Sequence, residues 1–492
     1  AKVTPVLAMA AQIAAALPAT YERFGIEMSG GRLAIDASGA IDFDSPQDAS
    51  KLVESLELQV SQSEPEGGDD DSTIEQSDNS LVRLINTMII DAASQGVSDI
   101  HIECQPGREK LKIRFRKDGL LRPYLELPHT YRNALVSRIK VMCDLDISER
   151  RKPQDGKINF ARFSQQHRLE LRVATIPTAN NLEDVVLRIL ASAKPLPLDK
   201  LGVSPHNYER LLDAIQRPYG MVLCVGPTGS GKTTTLHSAL AKINTPERKI
   251  WTAEDPVEIT QAGLRQVQVN PKIDWTFAKA LRAFLRADPD VIMVGEIRDE
   301  ETAQMAVEAS LTGHLVLSTL HTNSAPETVT RLLDMGMDPF NFADALLAVL
   351  AQRLVRRLCA KCRIAEPASE TQIDELLDDY LHAYAEPEGK PEREALRTDW
   401  LGRFGTDGRL MHYHSPGCGH CDSSGFKGRV GLHELLTMSR SVRRLIQTGG
   451  RVEQLQAAGL AEGMRTLRQD GIEKVLQGLT TIEEVRATSN AG

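Results

Sequence analysis

Residues 226–233, with the sequence GPTGSGKT, constrain the fold of this chain more than any other stretch. They follow an apolar run at residues 221–225, short enough for a buried strand, and precede residues 234–241, which predict a helix. Glycines at this spacing let a loop curl so that its backbone N–H groups point inward at a phosphate. A chance match in a glycine-rich loop is the alternative, but the flanking strand and helix favour a nucleotide-binding loop.

The predicted nucleotide contacts cover this loop and the first turn of the helix. Lys232 is expected to reach the β- and γ-phosphates of ATP, and Thr233 is expected to ligate Mg²⁺. The residues predicted to bind the nucleotide are Gly226, Pro227, Thr228, Gly229, Ser230, Gly231, Lys232, Thr233 and Thr234.

Length, charge and cysteine content exclude several classes of protein. At 492 residues the chain is too long for a single core and is expected to hold about three domains. A formal net charge of −9 provides no overall attraction for nucleic acid, so no nucleic-acid partner is expected. The longest N-terminal apolar run, residues 6–17, is too short to cross a bilayer, which predicts no transmembrane segment. Seven cysteines, an odd number in a long chain, favour a reducing, cytoplasmic location.

Composition and periodicity divide the chain into segments. Residues 61–80 are acidic and nearly free of apolar side chains, which is typical of a flexible linker, with a solvated surface loop as the alternative. The predicted segments are a docking module at 1–60, the linker at 61–80, a small α+β domain at 81–194, a hinge at 195–202, a nucleotide-binding core with a parallel sheet at 203–358, a four-cysteine zinc-binding insertion at 359–421 and a helical C-terminal region at 422–492. The predicted fold class is a multidomain α/β protein.

Two acidic residues follow predicted strands downstream of the loop, at the edge where ligands bind in open α/β sheets. Glu296 comes directly after an apolar strand and has the position of an acid that holds Mg²⁺, directly or through water. Glu258 is the better candidate for orienting the attacking water, although the two roles could be exchanged. Helix capping and a surface ion pair are the structural alternatives for both residues.

Two histidines flank the predicted strand at residues 315–319. His314 and His321 could each sense the γ-phosphate, and each could instead be a structural hydrogen-bonding residue. We include His321, which closes the strand, among the candidate catalytic residues.

Two CxxC pairs predict a zinc site. Cys359 and Cys362 form one pair, Cys418 and Cys421 form the other, and a long polar insertion separates them. Each short loop presents two thiolates, and a tetrahedral Zn²⁺ would close a segment too small to bury a core of its own. Thioredoxin-like redox pairs are the alternative, which the presence of two pairs disfavours.

Several of these segments together resemble the signatures of the ATPases that drive type II secretion and type IV pilus assembly. The Walker A, Asp box, Walker B and His box of that family are matched, in this order, by residues 226–233, 254–258, 295–299 and 312–323. The other matching signatures lie at residues 98–103, 150–156 and 425–431. The resemblance covers nearly the whole chain from about residue 81 onward.

This resemblance implies a RecA-like ATPase core and a cytoplasmic homohexamer bound to the inner-membrane platform of an export machine. Arg172 and Arg188, on the domain before the hinge, would reach across to the γ-phosphate as the family's sensing arginines do. The loop between them, residues 179–182, reads Ala-Asn-Asn-Leu where the family usually has Gly-Glu.

The four cysteines and the leading segment favour a secretion or pilus-assembly motor, because retraction motors of pili resemble only the core. Residues 1–60 are expected to bind the platform proteins. Type II protein secretion is the leading function, and type IV pilus extension is its alternative. From other classes, a nucleotide-gated scaffold and a nucleic-acid translocase are the remaining hypotheses.

Overall fold

The computed structural model describes residue 53 and residues 79–489, apart from residues 165, 168, 191–194, 271–272 and 385–389. The chain divides at residue 191 into two compact units. The predicted docking module, apart from residue 53, and the predicted acidic linker, apart from residues 79–80, therefore lie outside the described residues. Of the helices that are described, none combines the length and the apolar character that a bilayer span requires.

In the described residues, the first unit is a six-stranded antiparallel sheet with two α-helices. Its elements are α1 (Asn79–Ser94), β1 (Asp99–Glu103), β2 (Leu111–Lys117), β3 (Leu120–Leu127), α2 (Arg132–Met142), β4 (Gln154–Asn159), β5 (Glu170–Thr178) and β6 (Leu182–Leu190). The strand order is β3-β2-β1-β6-β5-β4. Asn180 and Asn181 turn the chain between β5 and β6 with φ values of 61° and 56°, a left-handed conformation that asparagine tolerates better than most residues.

One core joins the sheet of the first unit to both helices. In β2, Leu111, Ile113 and Phe115 are buried, while the residues between them are exposed or half-buried. This alternation is the period of two that the sequence predicts for a strand with one buried face. From α1, Ile85 and Met88 enter the same core at helical spacing.

The second unit holds a seven-stranded sheet with helices and a two-stranded ribbon. Its elements are α3 (Pro205–Gln216), β7 (Gly220–Val225), α4 (Lys232–Ile243), β8 (Ile250–Glu254), β9 (Leu264–Gln268), α5 (Phe277–Phe284), β10 (Val291–Val294), α6 (Glu300–Leu311), β11 (Leu315–Leu320), α7 (Ala325–Asp334), α8 (Pro339–Ala345), β12 (Leu346–Leu358), β13 (Ile364–Pro367), α9 (Glu370–Leu381), α10 (Arg393–Phe404), β14 (Met411–His414), β15 (Phe426–Thr437), α11 (Arg440–Gln447), α12 (Val452–Ala461), α13 (Leu467–Leu476) and α14 (Ile482–Thr488).

The large sheet has the order β15-β12-β7-β11-β10-β8-β9. All neighbouring strands are parallel except β15, which runs antiparallel to β12 at one edge. Every residue of the central strands β7, β10 and β11 is buried, since helices cover both faces of the sheet. The predicted α/β fold class, with a parallel-sheet core after a small α+β domain, is confirmed.

The strand β15 lies within the segment predicted to be helical, residues 422–492. Helices occupy that segment only from Arg440 onward. The apolar periodicity read from the sequence comes from these later helices, whereas β15 is formed by a long-range pairing with β12. The insertion separates β15 from its partner β12 in the sequence, so the residues around β15 do not indicate that the two strands pair.

The chain leaves the large sheet after β12 and returns at β15. The residues of this excursion share a small core with Ile472 and Leu476 of α13. The ribbon β13–β14 forms its base, and α9 and α10 pack together above it. Tyr380 and Trp400 meet edge to face in that core, with ring centroids 5.4 Å apart. The described residues of the insertion are therefore folded and pack against the C-terminal helices.

Candidate functional site

The glycine loop follows the carboxyl end of β7 and leads directly into α4. Gly226, Gly229 and Gly231 have φ values of 148°, 80° and 89°. A Cβ atom on Gly226 would lie 2.5 Å from the carbonyl oxygen of Gln352, and one on Gly231 would lie 2.8 Å from the Gln352 amide nitrogen. Both the backbone conformation and the close approach require glycine at these positions.

Lys232 is held inside the loop by backbone carbonyl groups. Its Nζ donates to the carbonyl oxygens of Gly226 at 2.7 Å and Pro227 at 3.0 Å. Burial lowers the pKa of the Lys232 ammonium, while the nearby Cys224 and the carboxylate of Glu296 oppose that shift. The ammonium group therefore lies over the loop, where a phosphate oxygen can replace the carbonyl oxygens as its hydrogen-bond acceptor.

The rest of the loop fits a phosphate group. Ser230 is buried, and its Oγ has no hydrogen-bond partner among the described residues. The outer part of the loop is exposed to solvent at Pro227, Thr228 and Gly229, so a ligand can reach it. Thr233 is half-buried in the first turn of α4, where free N–H groups and the helix dipole favour an anion. A buried hydroxyl without a partner, beside a lysine and a helix N-terminus, is suited to a negatively charged ligand.

Glu296 lies at the same edge of the sheet, directly after β10 and Gly295. Its carboxylate accepts a hydrogen bond from Arg298 and faces the Nε2 atom of His321 at 3.2 Å. This ion pair raises the pKa of Arg298. The structure therefore brings Glu296 and His321 together, as expected for groups at the carboxyl ends of neighbouring parallel strands.

His314 lies at the amino-terminal end of β11, away from the glycine loop. Leu315 pairs with Gly220 at the start of the two strands, whereas Leu320 pairs with Val225 beside the glycine loop. His314 precedes β11, and its ring Nδ1 lies 3.0 Å from the carbonyl oxygen of Ala309. The hypothesis that His314 senses the γ-phosphate is wrong. His314 and His321 lie at opposite ends of β11, and only His321 lies at the end beside the glycine loop.

Glu258 and Glu254 differ sharply in their surroundings. Glu258 is exposed. Glu254, at the end of β8, is buried and accepts hydrogen bonds from the Thr252 hydroxyl at 2.6 Å and the Gln266 amide at 3.0 Å, with His237 Nε2 at 3.0 Å. Burial alone would raise the pKa of Glu254, but these hydrogen bonds lower it.

Gln352 is a site residue that sequence reasoning missed. It follows Ala351, which pairs with Val225, so β12 places it beside the start of the glycine loop. Its Nε2 donates to the carbonyl oxygen of Ser230 at 2.7 Å, and its Oε1 accepts from the Thr235 hydroxyl at 2.7 Å. The only signal in the sequence is a polar pair, Gln352 and Arg353, that interrupts the apolar run of this strand.

Arg172 and Arg188 lie in the first unit on neighbouring strands. They are directly opposite each other in the pairing of β5 with β6, and both are exposed. Directly opposed residues point to the same face of a sheet, so the two guanidinium groups share one face. Arg188 also donates from Nε to the Oδ1 atom of Asp99 at 2.7 Å.

The four predicted zinc ligands converge. The Sγ atoms of Cys359, Cys362, Cys418 and Cys421 all lie within 4.8 Å of one another, and none forms a disulfide. The Cys359–Cys418 distance is 4.0 Å, and the Cys362–Cys421 and Cys418–Cys421 distances are both 3.8 Å. Bonds of about 2.3 Å to a tetrahedral zinc ion would set sulfur atoms about 3.8 Å apart. The donor set and its spacing fit one structural zinc ion.

The pKa values of two of these thiols shift in opposite directions, since burial and the neighbouring thiols raise the pKa of Cys362 to about 12. Burial alone would raise the pKa of Cys421, but hydrogen bonds from the backbone N–H groups of Cys418 and Gly425 and from the neighbouring thiols lower it to about 6. A thiolate, not a thiol, is the metal ligand. Both pairs serve a single centre here, which supports a metal site over two separate redox pairs.

Comparisons with known proteins agree with this geometry. The family described as "Type II/IV secretion system protein" matches residues 74–487. The type II secretion system protein E of Dickeya dadantii is 47% identical over 85% of this chain and 77% of its own length. The type IV pilus assembly ATPase PilB of Thermus thermophilus is 43% identical over 85% of this chain, which spans 44% of that longer protein.

Solved structures share the fold. The pilus retraction motor PilT with bound ADP superposes with a TM-score of 0.55, at 26% identity over 82% of this chain and 96% of its own. The ATPase DotB of Legionella pneumophila gives a TM-score of 0.57 at 22% identity, over 85% of this chain and 97% of its own. The second likeness, at such low identity, concerns the fold alone.

Proposed function

We propose that this chain, which belongs to the type II/IV secretion system protein family, is an ATP-hydrolysing motor that powers type II protein secretion. The observation that carries the proposal is the joint position of the glycine loop, Lys232 and Glu296 at one edge of the parallel sheet. A loop alone binds a phosphate, whereas an acid close enough to influence the pKa of the loop lysine supplies the second element of a hydrolytic site.

In this proposal the glycine loop and Lys232 bind the β- and γ-phosphates. Lys232 exchanges its bonds to the carbonyl oxygens of Gly226 and Pro227 for phosphate oxygens. Thr233 and Glu296 hold Mg²⁺, which neutralises charge on the phosphates. His321 and Arg298 orient the carboxylate of Glu296 through the contacts described above.

The attacking water is oriented by Glu258 or Glu296. The exposed position of Glu258 leaves its carboxylate free to turn toward a bound nucleotide, while Glu254 is committed to its three buried partners. We therefore assign the water to Glu258 and the metal to Glu296. Exchange of the two roles is the alternative arrangement.

Arg172 and Arg188 are proposed to stabilise the γ-phosphate from the first unit. Two exposed guanidinium groups on one face of a sheet can bind a multiply charged anion together. Since Arg188 pairs with Asp99 in the free chain, nucleotide binding would compete with that ion pair. Movement of one unit toward the other would then follow the state of the nucleotide, which is how hydrolysis could produce mechanical work.

The assembly belongs to the same proposal. The chain would act as a homohexamer in the cytoplasm, held at the inner membrane through platform proteins that bind residues 1–60. Type IV pilus extension is the second candidate, favoured by the 43% identity to PilB. The zinc centre would stabilise the excursion between β12 and β15 in either case.

Turnover of ATP by the wild-type chain, Lys232→Ala and Glu296→Gln tests the hydrolytic role. We expect the wild type to hydrolyse ATP and both variants to be strongly impaired, with Glu296→Gln still binding nucleotide. Equal, negligible rates for all three in an assembled hexamer would favour a nucleotide-gated scaffold. Stimulation of turnover by DNA, with salt-sensitive DNA binding, would favour a translocase.

A binding experiment separates the two export systems. The full chain and a variant without residues 1–60 would be compared for binding to the cytoplasmic part of a type II secretion platform protein and of a pilus platform protein. Binding of the full chain to the secretion protein alone, lost in the truncated variant, is the expected result. Preference for the pilus protein would assign the chain to pilus extension.

A further inference from the structure

The ribbon at the base of the excursion carries a second cluster of possible metal ligands. In the pairing of β13 with β14, Glu366 lies directly opposite His412, and His414 follows two residues later on the same strand. Residues two apart on a strand point to one face, and directly opposed residues share a face. Glu366, His412 and His414 are therefore neighbours on one face of the ribbon.

The other face of the ribbon is occupied. Tyr413, between the two histidines, packs so closely on Gly478 that a Cβ there would lie 2.6 Å from its ring. The guanidinium carbon of Arg363 lies 5.2 Å from the centroid of the same ring. With Tyr413 anchored on one side, the histidines face the other, where the side chains of His414 and Glu366 are 43% and 55% exposed. A dissolved ion can reach them.

The side-chain atoms of this cluster are already close to metal-binding geometry. One ligand atom from each of Glu366, His412 and His414 lies within 4.8 Å of the other two. The Nδ1 atom of His414 is 3.6 Å from the Oε1 atom of Glu366, and the two imidazole rings lie with centroids 6.1 Å apart. Tetrahedral bonds of about 2.0–2.2 Å would set the ligand atoms about 3.4 Å apart. The His414–Glu366 pair is already near that separation, and the other pairs lie within 4.8 Å.

A surface ion pair is the structural alternative. An exposed histidine and glutamate gain little from pairing, and such a pair explains two of the residues. It leaves out His412, which has a ligand atom within 4.8 Å of those of both partners. A third ligand atom, here a second imidazole nitrogen, is what a metal ion needs and a simple ion pair does not.

We propose that Glu366, His412 and His414 form a second metal site, distinct from the cysteine cluster, for a divalent transition-metal ion. Two imidazole nitrogens and one carboxylate oxygen suit Zn²⁺, Ni²⁺ or Cu²⁺, and water completes the coordination on the open side. The thiolates of the cysteine cluster favour softer metal ions and leave no open coordination position. The two sites therefore differ in the ions that they retain.

The position of this site gives it a structural consequence. The site joins β13 to β14 a few residues beyond the two cysteine pairs, at the stem of the excursion that carries α9 and α10. An ion bound across the ribbon fastens the two strands at a second point. The proposal rests on these three side chains and is independent of ATP hydrolysis.

Metal analysis of the untagged full chain tests the proposal. The protein, containing one zinc ion per chain, would be dialysed to equilibrium against Ni²⁺, and both metals would be measured by elemental analysis. We expect the zinc ion to be retained and one nickel ion per chain to be added. With Cu²⁺, the electron paramagnetic resonance spectrum should show coupling to two nitrogen nuclei, as expected for two imidazole ligands.

Three variants decide which residues bind the ion. His412→Ala and Glu366→Gln should lose the nickel ion and keep zinc, whereas His206→Ala, at an exposed histidine on α3 far from both clusters in sequence, should keep both. Failure of the wild type to bind nickel, or equal binding by His412→Ala, would overturn the proposal. Should His412→Ala also lose zinc through misfolding, Glu366→Gln decides, since it preserves the size of the side chain: unchanged nickel binding there would equally refute the three-ligand site.

Discussion

The side-chain amide of Gln352 donates to the carbonyl oxygen of Ser230 at 2.7 Å and thereby connects β12 to the glycine loop. The same amide accepts a hydrogen bond from Thr235, in the first turns of α4. One buried side chain thus fixes both the loop and the start of the helix that follows it. β12 continues from this point to Leu358, directly before Cys359. The glycine loop and the four-cysteine cluster are therefore both connected to one strand.

Replacing Gln352 is expected to weaken nucleotide binding. Gln352→Met would leave the Ser230 carbonyl and the Thr235 hydroxyl buried without partners, at a cost of about 1–3 kcal/mol. The affinity for a fluorescent ATP analogue measures the effect, and the unfolding midpoint of the free protein controls for general damage. Gln352→Glu keeps the acceptor for Thr235 but cannot donate to Ser230, so we expect it to be impaired as well.

A double-mutant cycle with Thr235→Val sharpens this prediction. If Gln352 acts by positioning the loop, the losses of affinity in Gln352→Met and Thr235→Val will not add in the double variant, because both remove one shared hydrogen bond. Fully additive losses would mean that the two residues act separately, and unchanged affinity in Gln352→Met would contradict the positioning role.

Removing a zinc ligand is expected to release the metal and loosen the excursion. Cys418→Ser should lower the zinc content by one ion per chain, since three thiolates hold the ion far less well. Protease sensitivity between β12 and β15 should rise, because the metal no longer closes the stem. Cys104→Ala, a buried cysteine of the first unit outside the cluster, is the control that should retain zinc. A zinc-free wild type, purified without chelator, would contradict the assignment.

Replacing Arg188 should reduce the rate of ATP turnover more than it reduces the affinity for nucleotide. If this guanidinium contacts the γ-phosphate mainly as charge develops in hydrolysis, Arg188→Ala should lower kcat by about 10²-fold. Binding of nucleotide to the isolated chain should change little, because the glycine loop supplies most of those contacts. Arg116→Ala is a matched control, since Arg116 also lies near Asp99, at 4.0 Å. An equal fall in kcat for both variants would point to Asp99 and the fold instead.

Glu434 should make the stability of the second unit depend on pH. This fully buried carboxyl accepts hydrogen bonds from the backbone N–H groups of Ala325 at 2.7 Å and Leu467 at 3.3 Å. Burial nevertheless raises the pKa of Glu434 to about 7. Between its unfolded pKa and about pH 7 the folded state binds the proton and the unfolded state does not, so the free energy of unfolding falls as pH rises through that window.

The Glu434→Gln variant measures this contribution. The variant has no proton to bind, so its free energy of unfolding in urea should fall less between pH 5 and pH 7 than that of the wild type. The difference in slope corresponds to at most about 3 kcal/mol over the window. Parallel pH profiles for the two proteins would contradict the raised pKa.

The family and the α/β fold class, both predicted from the sequence, are confirmed. They could be predicted because they depend on short stretches of sequence. The glycine loop needs positive φ values at three positions, which only a recurrent glycine spacing supplies. The apolar strand before it is buried on both faces and is therefore a continuous apolar run. His314 and His321, by contrast, have equivalent positions in the sequence, each next to β11. The sheet alone places one beside Gly220 and the other beside the loop.

The sequence by itself determined the glycine loop, the acids at the strand ends and the two cysteine pairs, because each depends on residue types at short, fixed spacing. Only the tertiary structure decided that Gln352 supports the loop and that β15 completes the sheet. It also decided that Glu366 faces His412 and His414. These relationships join residues that lie far apart in the chain, and strand register, which the packing of the whole sheet sets, brings them together.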